Sequence, residues 1–144
     1  MADARRDEML GDISKGAGAA GPVEGSGVGK RILIRGCDPV MAEKSKDMLP
    51  PLLGGAEVVP CTDDDTFEVL LGQGKWDAVM LAPGACRWSA AGQRIPGTTD
   101  KTSTWKIENY EWKVKEVCGD GTPFVATAEE AKIVPTLRAS LGLE

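Results

Sequence analysis

Beyond residue 30 the chain alternates between short, nearly continuous apolar runs and longer stretches whose apolar residues recur at three- and four-residue spacing. The runs are Arg31–Arg35 (RILIR), Ala56–Cys61 (AEVVPC), Asp77–Ala82 (DAVMLA) and Pro123–Thr127 (PFVAT). Their length predicts strands, and the almost unbroken apolar character of DAVMLA predicts a strand covered on both faces. Between them lie amphipathic segments. Pro39 can open a helix at its first turn, with Met41, Met48, Leu49, Leu52 and Leu53 as its stripe and Gly54-Gly55 as its stop. Thr62 and the Asp63-Asp64-Asp65 run cap a helix over Phe67–Leu71, closed by Gly72 and Gly74. A third helix over Trp105–Val117 carries Ile107, Tyr110, Trp112, Val114 and Val117 on its apolar side. Strands alternating with helices predict a parallel α/β sheet.

Three segments leave this pattern. Residues 83–104, PGACRWSAAGQRIPGTTDKTST, are small, polar and turn-forming. That length exceeds ordinary connections and predicts a functional or mobile loop. The end of the chain, EEAKIVPTLRASLGLE, fits one helix broken by Pro135, or a tiny strand at Lys132–Val134 followed by a helix from Pro135. Residues 1–29 have the Gly/Ala-rich composition of a flexible tail, with at most a short helix near Arg5–Ile13. A single domain over 30–144 is expected.

Composition narrows the function classes. A length of 144 residues at 42% hydrophobic content suits one globular domain with a real core. A net charge of −5 argues against nucleic acid as main partner, because phosphate neutralisation needs a basic face. No apolar run approaches a membrane span, and MADARRDEMLGD lacks the apolar core of a secretory signal. The four cysteines are widely spaced with no C-x-x-C pair, which fits neither a zinc site nor a disulfide scaffold. A reduced, cytoplasmic protein is the expectation. With no histidine in the chain, histidine-based nucleophile activation, metal ligation and phosphohistidine chemistry are excluded within it. The glycine cluster GSGVGK is not a phosphate loop: Glu24 stands five before Gly29, Arg31 follows Lys30, and the glycines precede the strand.

In a parallel sheet the carboxyl ends of all strands share one edge, where ligands bind. That gathers Gly36–Asp38, Cys61–Asp63 and Ala82–Cys86 on one rim and sends Cys118 to the opposite edge. The candidate binding residues are therefore Cys37, Asp38, Cys61, Asp63 and Cys86, with Arg87, Trp88 and Arg94 from the long segment and Thr127 from the last strand. Each has a plainer alternative. Cys37, Cys61 and Cys86 could form a bridge or hold a soft metal or Fe–S centre, or simply pack as small hydrophobes. Asp38 with Asp63–Asp65 could hold a divalent cation, or the aspartates could cap a helix. Arg87, Arg94 and Lys101 make the long segment basic on an acidic protein, fitting an acidic partner or anion, or a solvated loop. Trp88 is a candidate interface anchor; Trp76, Trp105 and Trp112 are equally suited to packing.

RILIRGCDPVMAEKSKDML followed by AEVVPCTDDDTFEVLLGQGKWDAVMLAP resembles a bacterial response-regulator receiver domain. The resemblance covers roughly residues 30–83 and, briefly, 123–128. It implies a flavodoxin-like three-layer domain with a parallel sheet of four or five strands in order 2-1-3-4(-5). It also implies where phosphorylation chemistry would stand. The Mg²⁺-binding acidic pair falls on Gly36 and Cys37, with Asp38-Pro39 following. The phosphoacceptor falls on Ala82, the hydroxyl on Thr127, which matches, and the lysine on Val134. Without acceptor or hard oxygen ligands, the resemblance implies a pseudo-receiver. Such a module needs no cofactor, has no catalytic residue and binds a partner protein in a signalling system. An enzyme alternative rests on a second resemblance, to lactose/cellobiose-type sugar phosphotransferase IIB components, which carry a phosphorylated cysteine placed like Cys37. Asp38 would repel that phosphate and Pro39 offers it no N–H.

Overall fold

The computed structural model describes residues 27–143; the expectations for a tail up to residue 26 and a helix near Arg5–Ile13 lie outside the described residues. Four strands, β1 (Arg31–Arg35), β2 (Glu57–Cys61), β3 (Ala78–Leu81) and β4 (Phe124–Ala126), form one all-parallel sheet in the order β2-β1-β3-β4. Among the described residues five α-helices accompany them: α1 (Pro39–Leu52), α2 (Asp64–Gln73), α3 (Pro83–Ala90), α4 (Ile107–Cys118) and α5 (Ile133–Leu141), the last entered through a 3₁₀ turn at Glu130–Lys132. The architecture is α/β and flavodoxin-like, with the strand order expected from the sequence.

Side-chain alternation along the strands divides the interior into two cores. Ile32, Ile34, Val58, Ala78 and Met80 face α1 and α5, where they meet Leu49, Leu53, Val134 and Leu137. Leu33, Cys61, Val79 and Leu81 face the other way, against Phe67 and Leu71 of α2, Ala85 and Cys86 of α3, and Tyr110 and Val114 of α4. β1 and β3 are thus covered on both faces, which is why their sequences are apolar almost throughout.

Local chemistry sets the helix starts. Asp38 caps α1, accepting from the Val40 and Met41 amides at 2.9 and 3.4 Å, and Pro39 takes the first helical position, where no N–H is needed. Asp63 caps α2, accepting from the Thr66 amide at 2.7 Å.

Two expectations are corrected. The segment 83–104 is not all loop: Pro83–Ala90 forms α3, with Pro83, Ala85 and Cys86 buried. The ending contains no fifth strand among the described residues. Lys132–Val134 instead spans the 3₁₀ turn and the start of α5, and Pro135 does not break that helix. It is the third helical residue, so its missing N–H falls among the donors that lack an intrahelical partner anyway.

Candidate functional site

The carboxyl ends of the strands are tied side by side at one rim. The Gly36 amide donates to Cys61 O at 2.8 Å and the Ala82 amide donates to Arg35 O at 2.9 Å. A Cβ on Gly36 would stand 3.6 Å from the Ala82 methyl, and a Cβ on Gly84 would be only 2.8 Å from the Cys37 sulfur. Cys37 and Ala82–Gly84 therefore meet as the topology requires, and no larger side chain fits at Gly84 without moving Cys37. Cys118 lies elsewhere, its sulfur 3.9 Å from Leu71 O near the end of α2.

Most of the remaining predicted site residues spend their polar groups on the protein itself. Asp38 and Asp63 are helix caps. Arg87 donates from Nε to Ala128 O at 3.1 Å and pairs with Glu130, fastening α3 to the turn after β4. Arg94 bonds Thr98 through its hydroxyl at 2.6 Å and its carbonyl at 3.1 Å. The Thr127 hydroxyl accepts from the Glu129 amide at 3.1 Å. Cys61 and Cys86 are buried in the core on the α2 side. Trp88 is 40% exposed, so it remains available as an anchor.

Burial holds the thiols toward their protonated form. Burial pushes the half-buried Cys37 up; Asp38 adds to the rise, while Arg35 and Arg87 oppose it. Burial likewise raises Cys61 to about 12 and Cys86 to about 11. All four cysteines are free, so no bridge joins Cys37 to Cys61 or Cys86. Among the described residues no three His, Cys, Asp or Glu side chains are grouped to hold a metal ion.

The strongest polar feature of the rim was not legible as such. Arg35 closes β1 on the Leu33 side and is completely buried. Its Nε donates to Asp64 Oδ1 at 2.8 Å, Nη2 to Pro96 O at 2.8 Å, and Nη1 to Gly36 O. Asp64, equally buried, accepts from the Tyr110 hydroxyl at 2.9 and 3.0 Å through its two oxygens. The sequence presents Asp64 inside a capping run and Tyr110 as an apolar-face aromatic. Only the second arginine of RILIR, closing three apolar residues, signalled that a counter-charge would be found inside.

This network also ties down part of the segment expected to be a functional or mobile loop. In the segment between α3 and α4, Ile95 is completely buried, Pro96 O is held by Arg35, and Gly97 O accepts from the Asp64 amide at 2.8 Å. Gly97 has φ +86, and a Cβ there would fall 2.2 Å from Thr62 O, so only glycine permits this approach.

A separate open groove of about 310 Å³ runs between α1 and the free edge of β2, lined by Pro39, Ala42 and Lys46 on one side and Val58, Pro60 and Thr62 on the other. No helix among the described residues is long and apolar enough to cross a membrane. No protein-family model, curated protein or solved structure matches this chain.

Proposed function

We propose that the chain is a non-phosphorylatable pseudo-receiver, a cytoplasmic module that binds a partner protein in a signalling system and carries out no chemistry of its own. The observation that carries this reading is the approach of Gly36 to Ala82 and of Cys37 to Gly84 at the carboxyl edge of a parallel sheet ordered β2-β1-β3-β4. In a receiver the magnesium ligands and the acceptor carboxylate stand at those positions. Here a thiol that burial pushes toward its protonated form and a methyl group stand there, and neither is the carboxylate that a receiver phosphorylates. Control then comes from binding. Trp88, exposed on α3 beside the rim, is the contact residue best suited to it, since amphipathic aromatics dominate binding energy in interfaces.

The test has two arms. Incubation with acetyl phosphate should leave the intact mass unchanged; gain of one phosphoryl group, lost in Cys37→Ser, would establish the phosphocysteine alternative instead. In the second arm, the wild-type protein and Trp88→Ala are immobilised and used to capture partners from the source cell. A specific protein retained by the wild type and lost with Trp88→Ala supports the binding role. Equal capture by both removes Trp88 from the contact.

A further inference from the structure

Between α3 and α4 the chain crosses the end of β2, and its ties to the body of the domain are concentrated in three consecutive residues. Ile95 fills a niche in the core that also holds Cys61 and Phe67. Pro96 O accepts from Arg35, and Gly97 O accepts from the Asp64 amide. The other hydrogen bonds of the segment are internal or lie at its two ends, where the Ala91, Gly92 and Gln93 amides donate to the Arg87, Ser89 and Trp88 carbonyls of α3 and the Trp105 amide donates to Thr102 O. Arg94 holds Thr98, and Thr99 and Thr102 exchange bonds through amide and hydroxyl at 2.8 and 3.3 Å. At one end stands Gly92, with φ +71 and open space around it; at the other, Trp105 stays on the body, its ring edge-to-face with Tyr110 at 5.1 Å. Contacts so clustered are lost or kept together, which is the signature of a local cooperative unit.

We propose that residues 91–104 are a strap released as one unit at the Ile95–Gly97 anchor, uncovering the end of β2, with the Cys61 thiol and the Arg35 guanidinium, while the sheet stays folded. Release leaves the Arg35–Asp64–Tyr110 network in place and frees the guanidinium bond that Pro96 O accepted. The rim thereby gains an accessible cationic donor that the closed protein hides. This inference goes beyond the binding role and stands without it.

Hydrogen exchange and thiol labelling on the full chain test it, with two variants that loosen the anchor differently. Arg35→Lys keeps the charge but cannot hold Asp64 and Pro96 O together; Gly97→Ala keeps both side chains of the ion pair and places a methyl 2.2 Å from Thr62 O and 3.0 Å from Arg35 Nη2, pushing the segment off its anchor. In the wild type the Asp64 amide should exchange faster than the amides of β1 and β3. Each variant should speed that exchange by about tenfold or more, the scale of losing one anchoring hydrogen bond, and by a larger factor than it speeds the β1 and β3 amides. Iodoacetamide labelling of Cys61 should rise in parallel while that of Cys86 holds steady. Should Arg35→Lys fail to fold, Gly97→Ala alone decides. The proposal is overturned if the Asp64 amide and Cys61 respond only together with the sheet amides, or if Gly97→Ala leaves both unchanged.

Discussion

At the scale of single residues, the rim depends on a buried network whose three members come from three separate elements. Arg35 belongs to β1, Asp64 to α2 and Tyr110 to α4, and none of the three is exposed. Removing one side of such a pair is costly because the other is left charged in a low-dielectric interior. Asp64→Ala should therefore destabilise the protein by about 3–5 kcal/mol. Tyr110→Phe removes only a donor to a carboxylate and should cost about 1.5–3 kcal/mol. Urea denaturation of the two single variants and the double variant measures both, and non-additivity would report the coupling. The thiols make a second prediction. Burial raises Cys61 to about 12 and Cys86 to about 11, against 9.0 for an unperturbed thiol. Above pH 9 the unfolded chain releases thiol protons that the folded chain keeps. Stability is therefore full below pH 9 and falls as pH rises toward 11–12. Denaturation midpoints at pH 8 and 10.5 should show the decline, reduced in Cys61→Ala and Cys86→Ala relative to each variant's own value at pH 8.

Elements were legible in the sequence where their periodicity was a direct image of burial, and illegible where tertiary contacts did the ordering. β1 and β3 are sandwiched between helices, so RILI and AVML announce themselves; α1 and α2 begin at aspartates that act locally. The strap carries no such signature. Ile95 is one apolar residue among turn-formers, and its neighbour Pro96 is held by Arg35, 61 residues earlier in sequence. Capping chemistry also masked the second role of the aspartate run: Asp63 caps, while its neighbour Asp64 turns inward. Pro60 illustrates an element-scale effect that the sequence did hold. The Glu57 amide donates to Lys30 O and the Gly36 amide to Cys61 O, so in the alternating parallel ladder residues 57, 59 and 61 face β1 while 58 and 60 face outward. Pro60 thus removes an N–H from the free edge, a common protection against strand addition. Pro60→Val should restore that donor and raise concentration-dependent self-association, visible by sedimentation velocity as dimer or larger species at concentrations where the wild type sediments as before.

For the molecule as a whole, the decisive question is whether the strap is part of the domain's stability or a detachable attachment. Replacing residues 93–103 by a short Gly/Ser linker distinguishes the two. The replacement empties the Ile95 niche, and loss of a fully buried aliphatic side chain costs about 2–5 kcal/mol. It also strips one acceptor from a buried guanidinium, although Asp64 and Gly36 O remain. Against a total stability of about 0.05–0.15 kcal/mol per residue, such a loss is large without being fatal. The four-stranded sheet, the core between α1 and α5, and the Arg35–Asp64–Tyr110 network all lie outside the deleted segment. The linker variant should therefore keep the circular dichroism of an α/β protein and unfold in one transition, with Tm lowered by about 10 °C or more. An unchanged Tm would mean that Ile95 and Pro96 contribute nothing in solution, and a chain without cooperative unfolding would mean that the strap is integral to the core. The intermediate outcome is the one a local unit requires, because a segment can open without unfolding the sheet only if the sheet persists in its absence.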